Sequence, residues 1–195
     1  KAMQSEYREY IEAWVHEIKT PIATSRLMIE NHQGAPIVGL NEALKKIEDY
    51  IEQALYYARS SSASKDYIVK EFRLKECVAK VIKRNAKAFI HKKIQLKLSE
   101  INDVVYSDEK WVEFIVNQII VNSINYCYKE DSVVSIYTSN HVHNLILHIV
   151  DNGVGIDEKD IGRVFEKGFT GENGRLYRKA TGIGLYLCKS PADKL

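Results

Sequence analysis

The chain has 195 residues, 45% hydrophobic and 28% charged, an ordinary balance for a soluble globular protein of one medium domain or two smaller ones. Its net charge of +2 excludes the strong basic field that nucleic acid or an acidic membrane face would call for. Cys77, Cys127 and Cys188 are scattered without CxxC or metal-ligand spacing, and no apolar run reaches the ~18 residues of a membrane span. A reduced, cytoplasmic setting follows. With no signal peptide, and Lys1 where an initiator methionine would stand, the chain is expected to be a soluble piece of something longer.

Two helical patterns come first. In residues 5–31, Ile11, Val15, Ile18, Ile22 and Ile29 recur at steps of three, four or seven; then Leu40, Leu44, Ile47, Ile51, Leu55 and Ala58 recur at three and four. Gly34, Pro36 and Gly39 break the chain between them, which predicts a helical hairpin. One hairpin has a narrow apolar stripe and little to bury it against. Two copies make a four-helix bundle, so a homodimer is expected. Ser60–Lys65 is small and polar and reads as a linker. The domains are therefore placed at 1–59 and 67–195, with 60–66 between them.

Beyond the linker, Tyr67–Phe72 reads as a strand, Leu74–Phe89 as a helix, Ile94–Leu98 and Val104–Tyr106 as strands. Ser107 or Asp108 caps a helix over Glu109–Cys127, and Val133–Thr138 and Asn144–Val150 alternate as two further strands. A last helix starts near Gly184 and runs to about Lys189, with Pro191 marking its end. The fold class is α+β: a hairpin forming a dimeric bundle, then a two-layer α/β sandwich of helices and mainly antiparallel strands.

Four segments of the second half carry chemistry. On helix 109–127, Gln118, Asn122 and Asn125 share one face at steps of four and three, and Asn117 sits to one side. Amide oxygens can complete the shell of a hard cation such as Mg²⁺, although such a face also suits the polar flank of a surface helix. Asp151-Asn-Gly-Val-Gly-Ile156 follows a strand directly. A carboxylate there can accept from an exocyclic amine such as that of adenine, and Gly153 and Gly155 allow close backbone approach; a plain turn is the alternative. Val164–Thr170 sets Phe165 and Phe169 around a glycine. Thr181-Gly-Ile-Gly-Leu185 places glycines before a helix, where free amide N–H groups and the helix dipole favour phosphate oxygens. Between the last two, Gly171–Ala180 is polar and basic, with Arg175, Arg178 and Lys179, and suits either a lid over phosphates or a solvated loop.

In this order the four segments resemble the N, G1, F and G2 boxes of the Bergerat-fold ATPases: histidine kinases, heat-shock chaperones, type II topoisomerases and MutL-type proteins. The resemblance covers Tyr67 to the end. It implies ATP as substrate and assigns Mg²⁺ to Asn122, the adenine amine to Asp151, the nucleotide-facing turn to Gly153, Gly155 and Ile156, and the phosphate turn to Thr181, Gly182, Gly184 and Leu185. It adds Tyr126 and Phe165 to the nucleotide contacts. The N box departs from the pattern: Gln118 stands where an Asn is usual, and Asn122-Ser-Ile-Asn-Tyr126 has Asn125 in place of a cation. Lys129, Arg175 or Arg178 are the candidates to supply that charge. The family fold continues with further strands, so part of the sheet is expected beyond Leu195.

The first helix separates the members of that superfamily. Trp14-Val-His-Glu-Ile-Lys-Thr-Pro-Ile22 resembles the phosphoacceptor box of dimeric sensor histidine kinases, whereas a lone helical histidine without this context is usually structural. A neutral imidazole is a fair nucleophile near neutral pH, so His16 is the expected acceptor, and Glu17 can take the ring proton. Thr20 lies one turn later on the same face, where related kinases orient a water that dephosphorylates the partner. Pro21 frees the carbonyl of Glu17 and is expected to bend the helix. Together with Ser107-Asp-Glu-Lys-Trp111 and Gly182-Ile-Gly-Leu-Tyr-Leu187, the motif most resembles intramembrane-sensing kinases of Gram-positive bacteria that work beside peptide-antibiotic ABC transporters. That implies a response-regulator partner and a membrane anchor preceding Lys1. An ATP-driven conformational clamp, or a scaffold whose ATP binding has decayed, are the alternatives.

Overall fold

The computed structural model describes residues 18–27, 37–61, 67–142, 144–171 and 182–192. The chain divides into two compact units, Lys1–Ala63 and Ser64–Leu195.

The first unit contains helix α1 (residues 18–27) and helix α2 (Ile37–Ser61). In α1 the hydroxyls of Thr24 and Ser25 donate back to the carbonyls of Thr20 and Pro21, at 3.0 and 2.8 Å, a pattern that slightly weakens and bends a helix. Gly39, read as a breaker, lies inside the first turns of α2, and the helix runs on through Ser61 into the stretch read as linker. A glycine costs a helix only about 1 kcal/mol, which a long amphipathic helix absorbs. Along α2, Ala43 and Tyr57 are buried, and Ile47, Tyr50 and Ala54 are half-buried between them. Leu44, Ile51 and Leu55 stay exposed. Two adjoining apolar stripes therefore share this helix. Both repeat at three and four, so spacing alone does not say which one the chain covers by itself.

In the second unit the order is β1 (Lys70–Arg73), α3 (Leu74–His91), β2 (Gln95–Leu98), β3 (Val104–Ser107), α4 (Glu109–Tyr126), β4 (Val133–Asn140), β5 (Leu145–Asp151), α5 (Glu158–Ile161) and α6 (Gly184–Ala192). Strands β1 and β3 form an antiparallel pair; β2, β4 and β5 form a second sheet in that order. In the latter β4 and β5 are antiparallel, but β2 and β4 run parallel. The parallel pairing arises because the chain leaves β2, passes through β3 and α4, and returns alongside, as a crossover must.

Apolar positions of α3 (Val78, Val81, Phe89), α4 (Val116, Ile120, Ile124) and β4 (Val134, Ile136) make one core, with Leu96, Leu147 and Ile149 packed against it. This is the two-layer arrangement: one face of the sheet covered by helices. Asp108, not Ser107, caps α4. One of its carboxylate oxygens accepts from the N–H groups of Lys110 and Trp111, and the other accepts from Ile68 N at 2.8 Å. Tyr67 stacks on Trp111 with ring centroids 5.6 Å apart. Residues 67–69 thus anchor the unit's entry to α4, and the strand that was expected to open at Tyr67 opens at Lys70 instead. The last helix, α6, packs on α4 and continues through Pro191 to Ala192, not ending at Lys189. A proline's fixed φ is helical, so one can occupy the last turn at the cost of the bond its missing N–H would have made.

Candidate nucleotide-binding site

The end of β5 and the last turns of α4 are drawn together by a set of short bonds. Asp151 closes β5, and its two carboxylate oxygens accept from different elements: Oδ1 from Gly153 N at 3.0 Å, Oδ2 from the Ser123 hydroxyl at 2.9 Å. Val154 N donates to Tyr126 O at 3.2 Å. The approach is so close that a Cβ on Gly153 would lie 2.6 Å from Tyr126 O, which only glycine avoids. Asn152 locks the other side. Its amide oxygen accepts from Val133 N at 2.8 Å, and its nitrogen donates to Asp131 O at 2.9 Å. The carboxylate of Asp151 is thereby presented at the surface, exposed, on a backbone with little freedom.

Asn122, Asn125 and Tyr126 are half-buried on the same end of α4. Burial raises the Tyr126 phenol above its ordinary pKa. Among the described residues the Asn122 amide has no hydrogen-bond partner, so its oxygen is available to a hard cation. Among the described residues no group of three or more His, Cys, Asp or Glu could hold a metal ion. Asn117 has a different task. It is buried, and its amide oxygen accepts from Asn85 Nδ2 at 2.9 Å, tying α4 to α3. Lys129 is exposed, and its carbonyl accepts from the Ser132 hydroxyl. At the same end of α4 a cation that sequence reading overlooked, Lys92, bonds the carbonyl of Ile124 and stands 5.1 Å from the centre of the Tyr128 ring.

The glycine turn before α6 meets the Phe-containing segment directly. Gly168 N donates to Gly182 O at 3.0 Å, and Gly182 has φ +68°, with its missing Cβ position overlapping the Gly168 backbone. Gly184 opens α6 against the side chain of Gln118, whose Oε1 would be 2.6 Å from an added Cβ. Gln118 thus links the amide face of α4 to the N-terminus of α6, where free N–H groups favour anions. Leu185 is half-buried behind it. On the facing segment Asp157 caps α5, and its carboxyl is held below the usual range by the Lys159 backbone N–H and ammonium. Arg163 pairs with Glu166 at 3.0 Å and lies 4.6 Å from the Phe169 ring centre. Phe165, Gly155 and Ile156 are exposed toward solvent.

Ten expected nucleotide residues, Asn122, Asn125, Tyr126, Asp151, Gly153, Gly155, Ile156, Gly182, Gly184 and Leu185, accordingly fall on α4, the β5 turn and the α6 turn. His16, Glu17, Arg175, Arg178 and Thr181 lie outside the described residues, and Thr20 lies exposed on α1 in the other unit. Ser123 and Asn152 were not anticipated. A hydroxyl beside an amide, or an Asn within a turn, has no periodicity to mark it; only the fold reveals what it touches. An apolar groove of about 390 Å³ lined by Val112, Ile115, Val116, Ile119, Leu147, Ile149 and Ala192 shares no residue with this site.

Residues 107–195 match the family of histidine kinase-, DNA gyrase B-, and HSP90-like ATPases. The sensor histidine kinase YxdK of Bacillus subtilis is 32% identical over 187 residues, 95% of this chain and 58% of the relative. GraS of Staphylococcus haemolyticus is 34% identical over 184 residues, 93% of this chain and 53% of the relative. The sensor protein BceS of B. subtilis is 32% identical over 195 residues, all of this chain and 58% of the relative. The chain spans just over half the length of these curated relatives. Among solved structures, the Acinetobacter baumannii histidine kinase AdeS shares the fold with a TM-score of 0.65 at 22% identity, over 92% of this chain and 87% of that one. A histidine kinase ThkA in complex with the response regulator TrrA aligns with a TM-score of 0.62 at 17% identity, over 87% of this chain and 52% of that one.

Proposed function

We propose, for a chain whose residues 107–195 belong to the histidine kinase-, DNA gyrase B-, and HSP90-like ATPases and which is related to the BceS- and GraS-type sensor histidine kinases, that it is the cytoplasmic kinase core of a two-component sensor. It transfers the γ-phosphoryl of ATP to His16 and passes it to an aspartate of a response regulator. The observation that carries the reading is the meeting of the Asp151 turn with the amide end of α4 through Ser123 and Tyr126.

The residues have distinct tasks. Asp151 accepts the exocyclic amine of adenine. The Gly182–Gly184 turn and the α6 N-terminus take the phosphates. A Mg²⁺ ion held by the Asn122 amide and the phosphates would neutralise charge on the transferring group. Arg175 and Arg178 would add the positive charge that Asn125 does not supply. The imidazole nitrogen of His16 attacks the γ-phosphorus, the bond to the β-phosphate bridging oxygen breaks, and ADP leaves. Glu17 takes the ring proton. Thr20 orients a water that hydrolyses the aspartyl phosphate of the regulator, releasing inorganic phosphate.

The proposed domains are a hairpin over 1–59, a linker over 60–66 and a catalytic domain over 67–195, with α2 reaching into the linker as far as Ser61. Exposed Leu44, Ile51 and Leu55 support a homodimer, with the uncovered stripe of α2 facing a second hairpin. Among the described residues no helix is long and apolar enough to cross a membrane. The relatives' greater length and their naming as sensors support an anchor in the rest of the protein; a place beside a peptide-antibiotic transporter rests on the motif resemblance.

Incubation with γ-labelled ATP tests this. Acid-labile, alkali-stable label is expected on the wild type and lost in His16→Gln and in Asp151→Asn. Free phosphate without protein label would instead indicate an ATPase clamp, and absence of nucleotide binding a scaffold; either overturns the kinase reading.

A further inference from the structure

An aspartate carboxylate turns readily about its terminal torsion, because that rotor has a broad, two-fold profile. At Asp151 the rotor is held from both sides. One donor, Gly153 N, belongs to its own turn. The other, the Ser123 hydroxyl, comes from α4 and is 3% exposed, so it does not exchange freely with water. A buried hydroxyl aimed at an exposed carboxylate has one evident effect, which is to set the plane in which that carboxylate faces solvent. Each carboxylate oxygen keeps a lone pair beyond the bond it already accepts.

We infer that Ser123 is a positioning residue for base recognition. Its hydroxyl fixes the Asp151 carboxylate so that the remaining lone pairs meet an amine at the 6-position of a purine. The inference rests on the reading of Asp151 as the partner of that amine. It concerns which base is preferred, not how tightly the phosphates are held. A serine that merely packed α4 against the turn would affect every purine nucleotide alike.

The experiment compares ATP with purine riboside triphosphate, which lacks the 6-amino group, by competition against a fluorescent nucleotide. In Ser123→Ala, ATP is expected to bind about fivefold to tenfold more weakly, the cost of immobilising on binding a carboxylate that is no longer held beforehand. The amine-free analogue should bind as it does to wild type. Ser123→Cys keeps the volume with a poorer donor and should fall between the two; it also serves if the alanine variant melts early. Equal weakening of both nucleotides, or no change for ATP, overturns the role given to Ser123. Asp151→Asn distinguishes the two levels. If it erases the preference for ATP while Ser123→Ala does not, only the serine's role fails. If it leaves the preference intact, the reading of Asp151 fails as well.

Discussion

The Asp151–Gly155 turn is fastened to other elements, whereas the segment from Asp157 to Gly171 is fastened mainly to itself. Asp151 reaches Ser123, Val154 reaches Tyr126, and Asn152 reaches both Asp131 and Val133. In the second segment the bonds join near neighbours: Asp157 to Lys159, Arg163 to Glu166, Phe169 to Glu166. Among the described residues, one tie to the rest is the bond from Gly168 to Gly182. A flat, rigid base suits a site that is already in place before binding. A segment held mainly by its own local bonds opens at low cost.

The contrast can be tested first at that tie. Gly182→Ala places a methyl on the Gly168 backbone at a positive φ. It should cost about 3 kcal/mol, combining overpacking with left-handed strain, and appear in thermal melts and as weaker triphosphate binding. Gly153→Ala comes next, at about 2 kcal/mol, because its methyl would press on Tyr126 O. Gly155→Ala, which has φ +72° but open space around it, should cost only about 1 kcal/mol. If the two alanines behave alike, close approach is not what holds the base end.

Asn117→Ala removes the partner of Asn85 between α3 and α4. About 1–2 kcal/mol of stability should be lost in urea titration, while the ratio of ATP to GTP affinity stays unchanged. A changed ratio would mean that the rigidity of the base end is borrowed from the whole of α4. The effect that is smallest near neutral pH concerns Cys188, on α6. Burial pushes its thiol up to about 12, whereas in an unfolded chain a thiol ionises near about 8.5. Above that pH the unfolded state binds fewer protons, so stability that is complete at neutral pH drains away as pH climbs toward 12, by about 1 kcal/mol per unit. Cys188→Ala should make that slope shallower without abolishing it, because burial pushes the Cys77 thiol up to about 12 as well. A slope that stays as steep in the alanine variant places its origin elsewhere.

Much of this was legible in the residues. The α4 cap, the turn after β5 and the glycines before α6 announce themselves because capping, turning and anion binding each require particular side chains at fixed offsets. What spacing could not resolve was choice between equivalents. Leu44, Ile51 and Leu55 are as periodic as Ala43, Ile47, Tyr50 and Tyr57, but only the latter set is covered by the chain itself. The direction of β2 beside β4 depends on where the chain returns, which strand alternation does not encode. Asn117 and Ser123 lie in one polar-looking helix stretch, yet one braces α3 and the other reaches the β5 turn.

The bonds around Asn152 also bear on how the protein ages. Asn-Gly is the dipeptide in which a backbone nitrogen most readily attacks the preceding side-chain carbonyl, forming a succinimide and then isoaspartate. Here the Gly153 nitrogen donates to Asp151, and the Asn152 amide is gripped by Val133 and Asp131. Ring closure must first undo those contacts. Chemical lifetime at this dipeptide is thus a readout of the same geometry that presents the carboxylate, and stored protein whose turn has loosened should reveal it as isoaspartate at residue 152 before any loss of helix is visible.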